Sequence, residues 1–217
     1  KGCVVEPLTE LHKDEVRQLG KSLGLPDELI LRQPFPGPGL AVRILCADAP
    51  YITDDFHAID ADLRRDFGAA LLPIKTVGVQ GDGRTYSYAA ALSDGGSWDE
   101  LFAVAAQIPK KFHMVNRVVY LFNHTLTGSV TSITPTHLSR DVVRQLQVAD
   151  DIVNKKLLEY GLTTSLSQVP VISFPVDFGV QGARSIAIRP FITNDFMTGI
   201  AARPGKDIPL RCLEEMV

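Results

Sequence analysis

A short proline- and glycine-rich stretch is the most unusual feature of the sequence that could take part in chemistry. Residues 34–39 read Pro-Phe-Pro-Gly-Pro-Gly. Proline fixes φ and lacks an amide donor, whereas Gly37 and Gly39 can take backbone angles that other residues avoid. Such a stiff loop could approach a phosphate or a sugar closely, because oriented amides bind anions. The alternative is a rigid connector between two domains, since Pro-Gly steps are mainly turn signals.

A tight turn at residues 81–84, Gly-Asp-Gly-Arg, places a carboxylate beside a guanidinium. Arg84 offers a planar fork suited to phosphate or to paired carbonyl groups. Asp82 could accept a hydrogen bond from a ribose hydroxyl or a base N–H. The alternative is a surface hairpin turn with a local Asp–Arg pair.

Two further polar features follow predicted elements late in the chain. Gln168 precedes a strand and could read the edge of a base, although most glutamines in such places are simply exposed. Residues 193–198, Thr-Asn-Asp-Phe-Met-Thr, equally fit a helix N-cap followed by core side chains. The five histidines show no metal-ligand spacing, and the sequence contains no nucleophile elbow, Walker-type loop or zinc motif. These residues therefore predict binding rather than bond-making chemistry.

Composition narrows the class of protein. Apolar residues make up 45% and charged residues 22% of the 217, as in ordinary soluble domains. A pI near 6.0 and scattered basic residues argue against a nucleic-acid partner. No apolar run reaches the roughly 18 residues of a membrane helix. Three widely spaced cysteines indicate neither a disulfide framework nor a metal site, so we expect a reducing, cytosolic compartment.

Periodicity predicts the elements that position these residues. An amphipathic helix over residues 8–24 is followed by a short helix from Pro26 and a strand over 41–46, while residues 47–68 are left unassigned. The later elements are predicted in the order strand 71–80, strand 85–92, helix 98–108, strand 116–122, Thr- and Ser-rich connector 125–139, helix 140–160 and strand 185–189.

The sequence contains a weak internal repeat. Gly-Val-Gln-Gly occurs at residues 78–81 and again at 179–182, and each copy is followed by an arginine, Arg84 and Arg184. Matching blocks about 100 residues apart, with the same order of elements around them, indicate a duplicated αβ module. The second copy has Gly-Ala-Arg at 182–184 and lacks the aspartate, which favours one composite pocket over two.

Several stretches together resemble the GMP synthase family, and the match runs over most of the chain. They are residues 6–26 in part, Pro-Phe-Pro-Gly-Pro-Gly-Leu-Ala-Val-Arg at 34–43, Lys-Thr-Val-Gly-Val-Gln-Gly-Asp-Gly-Arg at 75–84, Asn-Arg-Val-Val-Tyr at 116–120 and Ile-Thr-Asn-Asp-Phe-Met-Thr-Gly at 192–199. The second and third are highly specific to that family. The doubled module resembles the longer, eukaryote-type version.

The resemblance implies an α/β fold, an α+β sandwich built from a duplicated carboxy-terminal dimerisation module. It implies a pyrophosphatase-domain tail at residues 1–33, a first module at 34–138 and a second, truncated module at 139–217. Such enzymes are ligases that use ATP and glutamine-derived ammonia to aminate xanthosine monophosphate (XMP) to GMP. The family's Ser-Gly-Gly-Val-Asp-Ser ATP loop, its amidotransferase triad and its terminal Lys-Pro-Pro segment are absent here. We therefore expect this region alone to be inactive.

Carried over residue by residue, the resemblance implies that Asp82, Arg84 and Gln168 contact XMP and that Pro36 and Gly37 line the same pocket. It implies no catalytic residue, cofactor or metal in this region, while the complete enzyme is expected to use ATP and Mg²⁺. The expected partners are XMP, the amidotransferase and pyrophosphatase domains of the same protein and a second copy in a homodimer, with no nucleic acid and no membrane. Gln33 departs from the family's usual histidine. The alternative function is a dimerisation or interaction module that binds no ligand.

Overall fold

The structure combines helices with small β-sheets, which confirms the predicted α+β class. The computed structural model describes residues 4–30, 39–80, 83–93, 95–193 and 199–217. In chain order the elements are α1 (Lys13–Ser22), α2 (Asp27–Ile30), a 3₁₀ helix (Gly39–Arg43), α3 (Phe56–Phe67), β1 (Ala70–Gln80), β2 (Gly83–Leu92), α4 (Trp98–Lys111), β3 (Val115–Tyr120), α5 (Arg140–Glu159), β4 (Val171–Phe174), β5 (Ser185–Ile188), β6 (Phe191–Ile192), β7 (Ile200–Ala201) and α6 (Leu210–Glu214).

The larger sheet has the strand order β1-β2-β3. Strands β1 and β2 form an antiparallel hairpin with a bulge between Leu72 and Lys75, and β3 joins β2 in parallel. Helices α3 and α4 pack on one face, where Phe56, Tyr88 and Ile108 share a core. The central part of the sheet is buried on both faces, which is why residues 69–72 and 88–92 are continuous apolar runs rather than alternating ones.

A buried carboxylate, Asp60 of α3, connects the helix to the sheet and to the connector after β3. The residue is 1% exposed. Its Oδ1 accepts a hydrogen bond from the Leu71 amide at 2.8 Å, and its Oδ2 accepts from Arg64 Nε at 3.0 Å and from the Ser129 hydroxyl. Because a buried charge is stable only when it is paired and hydrogen-bonded, these three donors explain its place in the core.

The second half of the chain packs α5 against the antiparallel pair β4-β5. Its core contains Leu146 and Val153 of α5 together with Val171 of β4. A separate apolar cluster joins the two halves, because Leu72 of β1 packs there with Phe174 of β4. The two sheets therefore share an interior, and side chains at its edge come from both halves of the chain.

The end of α6 is attached to α5 by a charged network. Glu215 accepts hydrogen bonds from Lys156 Nζ at 2.9 Å, from Arg211 Nε at 3.0 Å and from the Tyr160 hydroxyl at 3.0 Å. These donors, with Lys156 the largest contributor, lower the pKa of Glu215 to about 2. The carboxylate is thus held in its charged form.

The predicted strand over residues 41–46 is wrong. Residues Gly39–Arg43 form the 3₁₀ helix, and Ile44 after it makes a parallel bridge to Ser173. A short apolar run does not distinguish a strand from a helical turn by periodicity. What decides the conformation is tertiary, since the Arg43 guanidinium forms an ion pair with a carboxylate of α5 at 2.9 Å.

Two other differences concern helices. The helix predicted over residues 8–24 begins at Lys13, after the N-cap His12, and ends at Ser22. The unassigned region 47–68 contains α3, which ends on Gly68 at a φ of 64°. The remaining helices and strands are confirmed with shifts of a few residues at their ends. No helix in the described ranges has the length and apolarity to cross a bilayer.

Candidate functional site

The β1–β2 hairpin carries Arg84 near its tip. Arg84 pairs with Val79 across the hairpin and is exposed. Because side chains alternate along a strand, Arg84 shares a face with Tyr86 and Tyr88. Within the described ranges, no side chain forms an ion pair or a hydrogen bond with its guanidinium. The fork of Arg84 is therefore available to a ligand.

The other residues predicted to line the pocket with Arg84 differ in whether the structure describes them. Asp82, Pro36 and Gly37 lie outside the described residues, as do Gln33 and residues 194–198 of the polar cluster. Gln168 is described and lies on the other half of the chain, just before β4. Of the five predicted contacts to XMP, the structure therefore places Arg84 and Gln168.

Asn116, at the start of β3, forms hydrogen bonds with both strands of the hairpin. Its Nδ2 donates to the Thr76 carbonyl oxygen at 2.7 Å and to Thr85 Oγ1 at 3.2 Å, and its Oδ1 accepts from Thr76 Oγ1 at 2.8 Å. The close approach requires a glycine at position 78, because a Cβ there would lie 2.8 Å from Asn116 Nδ2. Gly78 begins the first Gly-Val-Gln-Gly copy, so one residue of that motif leaves room for the Asn116 side chain.

Lys75 lies on the same face of the hairpin as Arg84, among tyrosine rings. Its Nζ is 3.9 Å from the centroid of the Tyr51 ring and 5.2 Å from that of Tyr88. The Tyr88 hydroxyl is in turn 2.9 Å from Thr53 Oγ1. Cation–π contacts of this kind orient an ammonium group without neutralising it, so this face of the hairpin is positively charged.

Gln168 lies on a ladder that extends the β4-β5 pair. It forms an antiparallel bridge with Phe191, whose amide donates to the Gln168 carbonyl oxygen at 3.0 Å. Bridged residues point their side chains to the same side of a sheet. Arg189, two residues before Phe191, places its guanidinium carbon 5.6 Å from the Phe191 ring centroid. Gln168, Phe191 and Arg189 therefore share one face.

Arg117, next to Asn116 on β3, forms a hydrogen bond to the hairpin. Its Nη2 donates to the carbonyl oxygen of Val77 in the hairpin at 2.7 Å. Burial lowers the pKa of Arg117, and the charge of Arg189 lowers it further. Arg117 thus contacts the hairpin that carries Arg84.

Arg184, the arginine of the second copy, has a different environment from Arg84. Its Nε donates to Thr136 Oγ1 at 2.8 Å, and its Nη2 donates to the Pro135 carbonyl oxygen at 3.3 Å. These bonds hold the connector that precedes α5. The two arginines of the repeat therefore have different roles, because Arg184 is hydrogen-bonded within the protein.

The chain was compared with known proteins. No family model matches it. The GMP synthase [glutamine-hydrolyzing] of Dictyostelium discoideum is 50% identical over 263 residues, which cover 99% of this chain and 37% of that protein. A probable GMP synthase of Caenorhabditis elegans is 40% identical and covers 99% of the chain, and one of Leptospira interrogans is 37% identical and covers 91%. The chain belongs to the glutamine-hydrolysing GMP synthase family.

The chain spans only part of its GMP synthase relatives: 37%, 38% and 33% of their respective lengths. The alignments with the Dictyostelium and Caenorhabditis proteins are longer than the 217 residues of the chain. These two relatives therefore carry residues that this chain lacks.

Among the residues that the structure describes, no group of three His, Cys, Asp or Glu side chains could hold a metal ion. The sequence also has no phosphate-binding Walker-type loop.

Sequence reasoning missed Arg117, Arg189 and Lys75 as candidate site residues. Each stands within a predicted strand, where it was treated as part of the strand pattern. A charged residue inside an otherwise apolar strand was the available signal, because burying an arginine or a lysine requires a partner.

Proposed function

We propose that the chain is the carboxy-terminal part of a glutamine-hydrolysing GMP synthase and that it provides part of the site for XMP. In the complete enzyme XMP would be aminated to GMP with ATP and glutamine-derived ammonia. The observation that carries the proposal is the exposed, available guanidinium of Arg84 on a hairpin that Asn116 and Arg117 hold in place. The half-buried Gln168 supports it.

The proposed role of each residue follows from its hydrogen-bonding groups. Arg84 would direct its fork to the paired carbonyl groups of the xanthine base or to the phosphate. Asp82 would accept from the ribose hydroxyls, and the side-chain amide of Gln168 would both donate to and accept from the base edge. Pro36 and Gly37 would line the pocket without adding side-chain bulk at the glycine. None of these groups carries out bond making, so the proposed role is to bind and orient the acceptor.

We also propose the domain division, with a pyrophosphatase-domain tail at 1–33, a first module at 34–138 and a second at 139–217. The order α3-β1-β2-α4-β3 in the first module and α5-β4-β5 followed by α6 in the second supports a duplication. The proposed setting is the cytosol. Cys46 and Cys212, which are both unpaired, are compatible with a reducing compartment.

Calorimetric titration of the protein with XMP tests the proposal. We expect Arg84→Ala to weaken XMP binding about 10- to 100-fold, because hydrogen bonds to a charged group contribute about 1.5–3 kcal/mol. Arg65→Ala is the matched control, since Arg65 is an exposed arginine of α3 that pairs with Asp62 and Asp66. Equal XMP affinity of the Arg84 and Arg65 variants would contradict the assignment of Arg84.

A dimerisation or interaction module without ligand binding is the second candidate function. Val77 and Tyr86 favour it, because they pair across the hairpin and are 56% and 64% exposed. Large apolar side chains that lie together on a surface are typical of protein interfaces. Sedimentation analysis with and without XMP separates the two functions. A stable dimer that Val77→Ser and Tyr86→Ser dissociate, with no XMP binding by the intact protein, supports the interaction module alone.

A further inference from the structure

The chain around Gln168 departs from the alternation of an ordinary strand. Leu166 and Val169 are both buried, at 1% and 7% exposure, and both belong to the apolar core of the second half of the chain. Side chains of a regular strand alternate between its two faces, so residues three apart point to opposite faces. Two core residues separated by Ser167 and Gln168 therefore require one additional residue in this strand.

The backbone hydrogen bonds show where the additional residue lies. The amides of Ser167 and Gln168 both donate to the carbonyl oxygen of Phe191, at 3.0 and 3.4 Å. The Phe191 amide donates in return to the Gln168 carbonyl oxygen at 3.0 Å. Two consecutive residues opposite one partner residue form a β-bulge, which twists a strand and changes the direction of a side chain. The bulge thus lets Leu166 and Val169 both face the core and leaves Gln168 on the opposite face.

The Ser167 hydroxyl attaches this bulge to the residue that follows β6. Its Oγ accepts a hydrogen bond from the Thr193 amide at 2.8 Å and donates to the Thr193 carbonyl oxygen at 3.2 Å. Both bonds reach main-chain atoms of a residue 26 positions along the chain. A hydroxyl has a single donor and accepts through its lone pairs, so the two bonds fix the rotation of the Ser167 side chain. Because Gln168 is the next residue, the same bonds restrict its backbone.

We propose that Ser167 is a positioning residue for XMP binding, which acts by holding Gln168 in the bulge. The inference rests on the proposed function, in which the side-chain amide of Gln168 contacts the edge of the base. An amide of this kind both donates and accepts hydrogen bonds, so it recognises a base edge only when its direction is fixed. Ser167 itself does not contact the ligand; its hydroxyl determines where the Gln168 side chain points.

Calorimetric titration of the complete protein with XMP tests the role of Ser167. Ser167→Ala removes the hydroxyl, and Ser167→Thr keeps it. Ser165→Ala is the matched control, because Ser165 lies two residues away and donates to the Leu162 carbonyl oxygen at 3.3 Å within its own turn. Gln168→Ala and the double variant Ser167→Ala/Gln168→Ala show whether Ser167 acts through Gln168. Hydrogen exchange of the Thr193 amide reports on the bond to the hydroxyl itself.

We expect Ser167→Ala to weaken XMP binding about three- to tenfold, because the direction of the amide that contacts the base is no longer fixed. Ser167→Thr and Ser165→Ala should bind XMP as the parent protein does. In the Gln168→Ala background, Ser167→Ala should have no further effect on XMP affinity, whereas a merely structural role would weaken binding in both backgrounds. The Thr193 amide should exchange faster in Ser167→Ala than in the parent or in Ser165→Ala.

The outcomes separate this inference from the proposed function. XMP binding by the parent that Ser167→Ala or Gln168→Ala leaves unchanged would overturn the role of Ser167 and leave XMP binding itself standing. Equal losses of affinity from Ser167→Ala in both backgrounds, or unchanged exchange of the Thr193 amide, would overturn that role as well. The absence of XMP binding by the parent would overturn the proposed function and, with it, this role of Ser167.

Discussion

Replacement of Gly78 by alanine should displace the Asn116 side chain, which holds the β1–β2 hairpin that carries Arg84. The new Cβ would lie 2.8 Å from Asn116 Nδ2 and 2.9 Å from both Cβ and Cγ of the same side chain. Real Cβ atoms do not approach other atoms this closely, so Asn116 must move. Movement breaks its short hydrogen bonds to Thr76, at 2.7 and 2.8 Å.

The magnitude follows from the bonds that are lost. Each hydrogen bond contributes about 0.5–1.5 kcal/mol, so the loss of two should lower the free energy of unfolding by about 1–3 kcal/mol. For a protein of this size, each 1 kcal/mol corresponds to a fall in melting temperature of about 2–4 °C. Chemical denaturation of the protein, monitored by circular dichroism, measures the change. XMP affinity should fall as well, because the hairpin that carries Arg84 is displaced.

Gly83 supplies the matched control on the same hairpin. A Cβ at position 83 would meet no atom within 4 Å, and Gly→Ala in open space is neutral or stabilises slightly through the unfolded chain. The double variant Gly78→Ala/Asn116→Ala is informative too, since removal of the Asn116 side chain removes the clash and the two effects should not add. Equal stability of the Gly78 and Gly83 variants, or simple additivity in the double variant, would refute the reasoning.

Three further predictions concern the rest of the molecule. Asp60→Ala should lower the free energy of unfolding by about 2–4 kcal/mol in a urea titration, because three donors to a buried carboxylate lose their acceptor. The half-exposed Asp62 of the same helix supplies the control variant Asp62→Ala, and an equal effect of the two substitutions would contradict this reasoning. Glu215 has its pKa lowered to about 2 from an ordinary 4.5, so its contribution is present above about pH 4.5 and is lost as the pH falls through 2. The melting temperature of Glu215→Gln should therefore depend less on pH in that window, and parallel profiles for parent and variant would speak against it. Arg184→Ala should lower the free energy of unfolding by about 1–2 kcal/mol and leave XMP affinity unchanged. Arg84→Ala should instead lower XMP affinity and leave the free energy of unfolding unchanged. An equal loss of XMP affinity in the two variants would mean that the two copies share a role.

Much of the fold could be predicted because its signals are local. The hairpin β1–β2 and helices α4 and α5 follow from periodicity and end signals, including the cap of α4, where the Ser97 side chain and Glu100 satisfy each other's backbone amides. The strand expected at 41–46 was wrong because residues 39–43 form a 3₁₀ helix, whose Arg43 pairs with a carboxylate of α5 far along the chain. Helix α3 was missed because it carries a charged residue, Asp60, on its buried side, which obscures the amphipathic pattern.

The same distinction between local sequence signals and tertiary contacts applies to the candidate site. Sequence motifs alone indicated the family, the hairpin and Arg84 as a candidate ligand contact, since these depend on short stretches of chain. The tertiary structure alone decided that the connector accepts hydrogen bonds from Arg184, that Gly78 leaves room for Asn116, and that Arg117 donates to the Val77 carbonyl oxygen of the hairpin. Such contacts depend on the pairing of two halves of the chain around a shared apolar interior, and no local sequence pattern encodes a distance between residues that far apart.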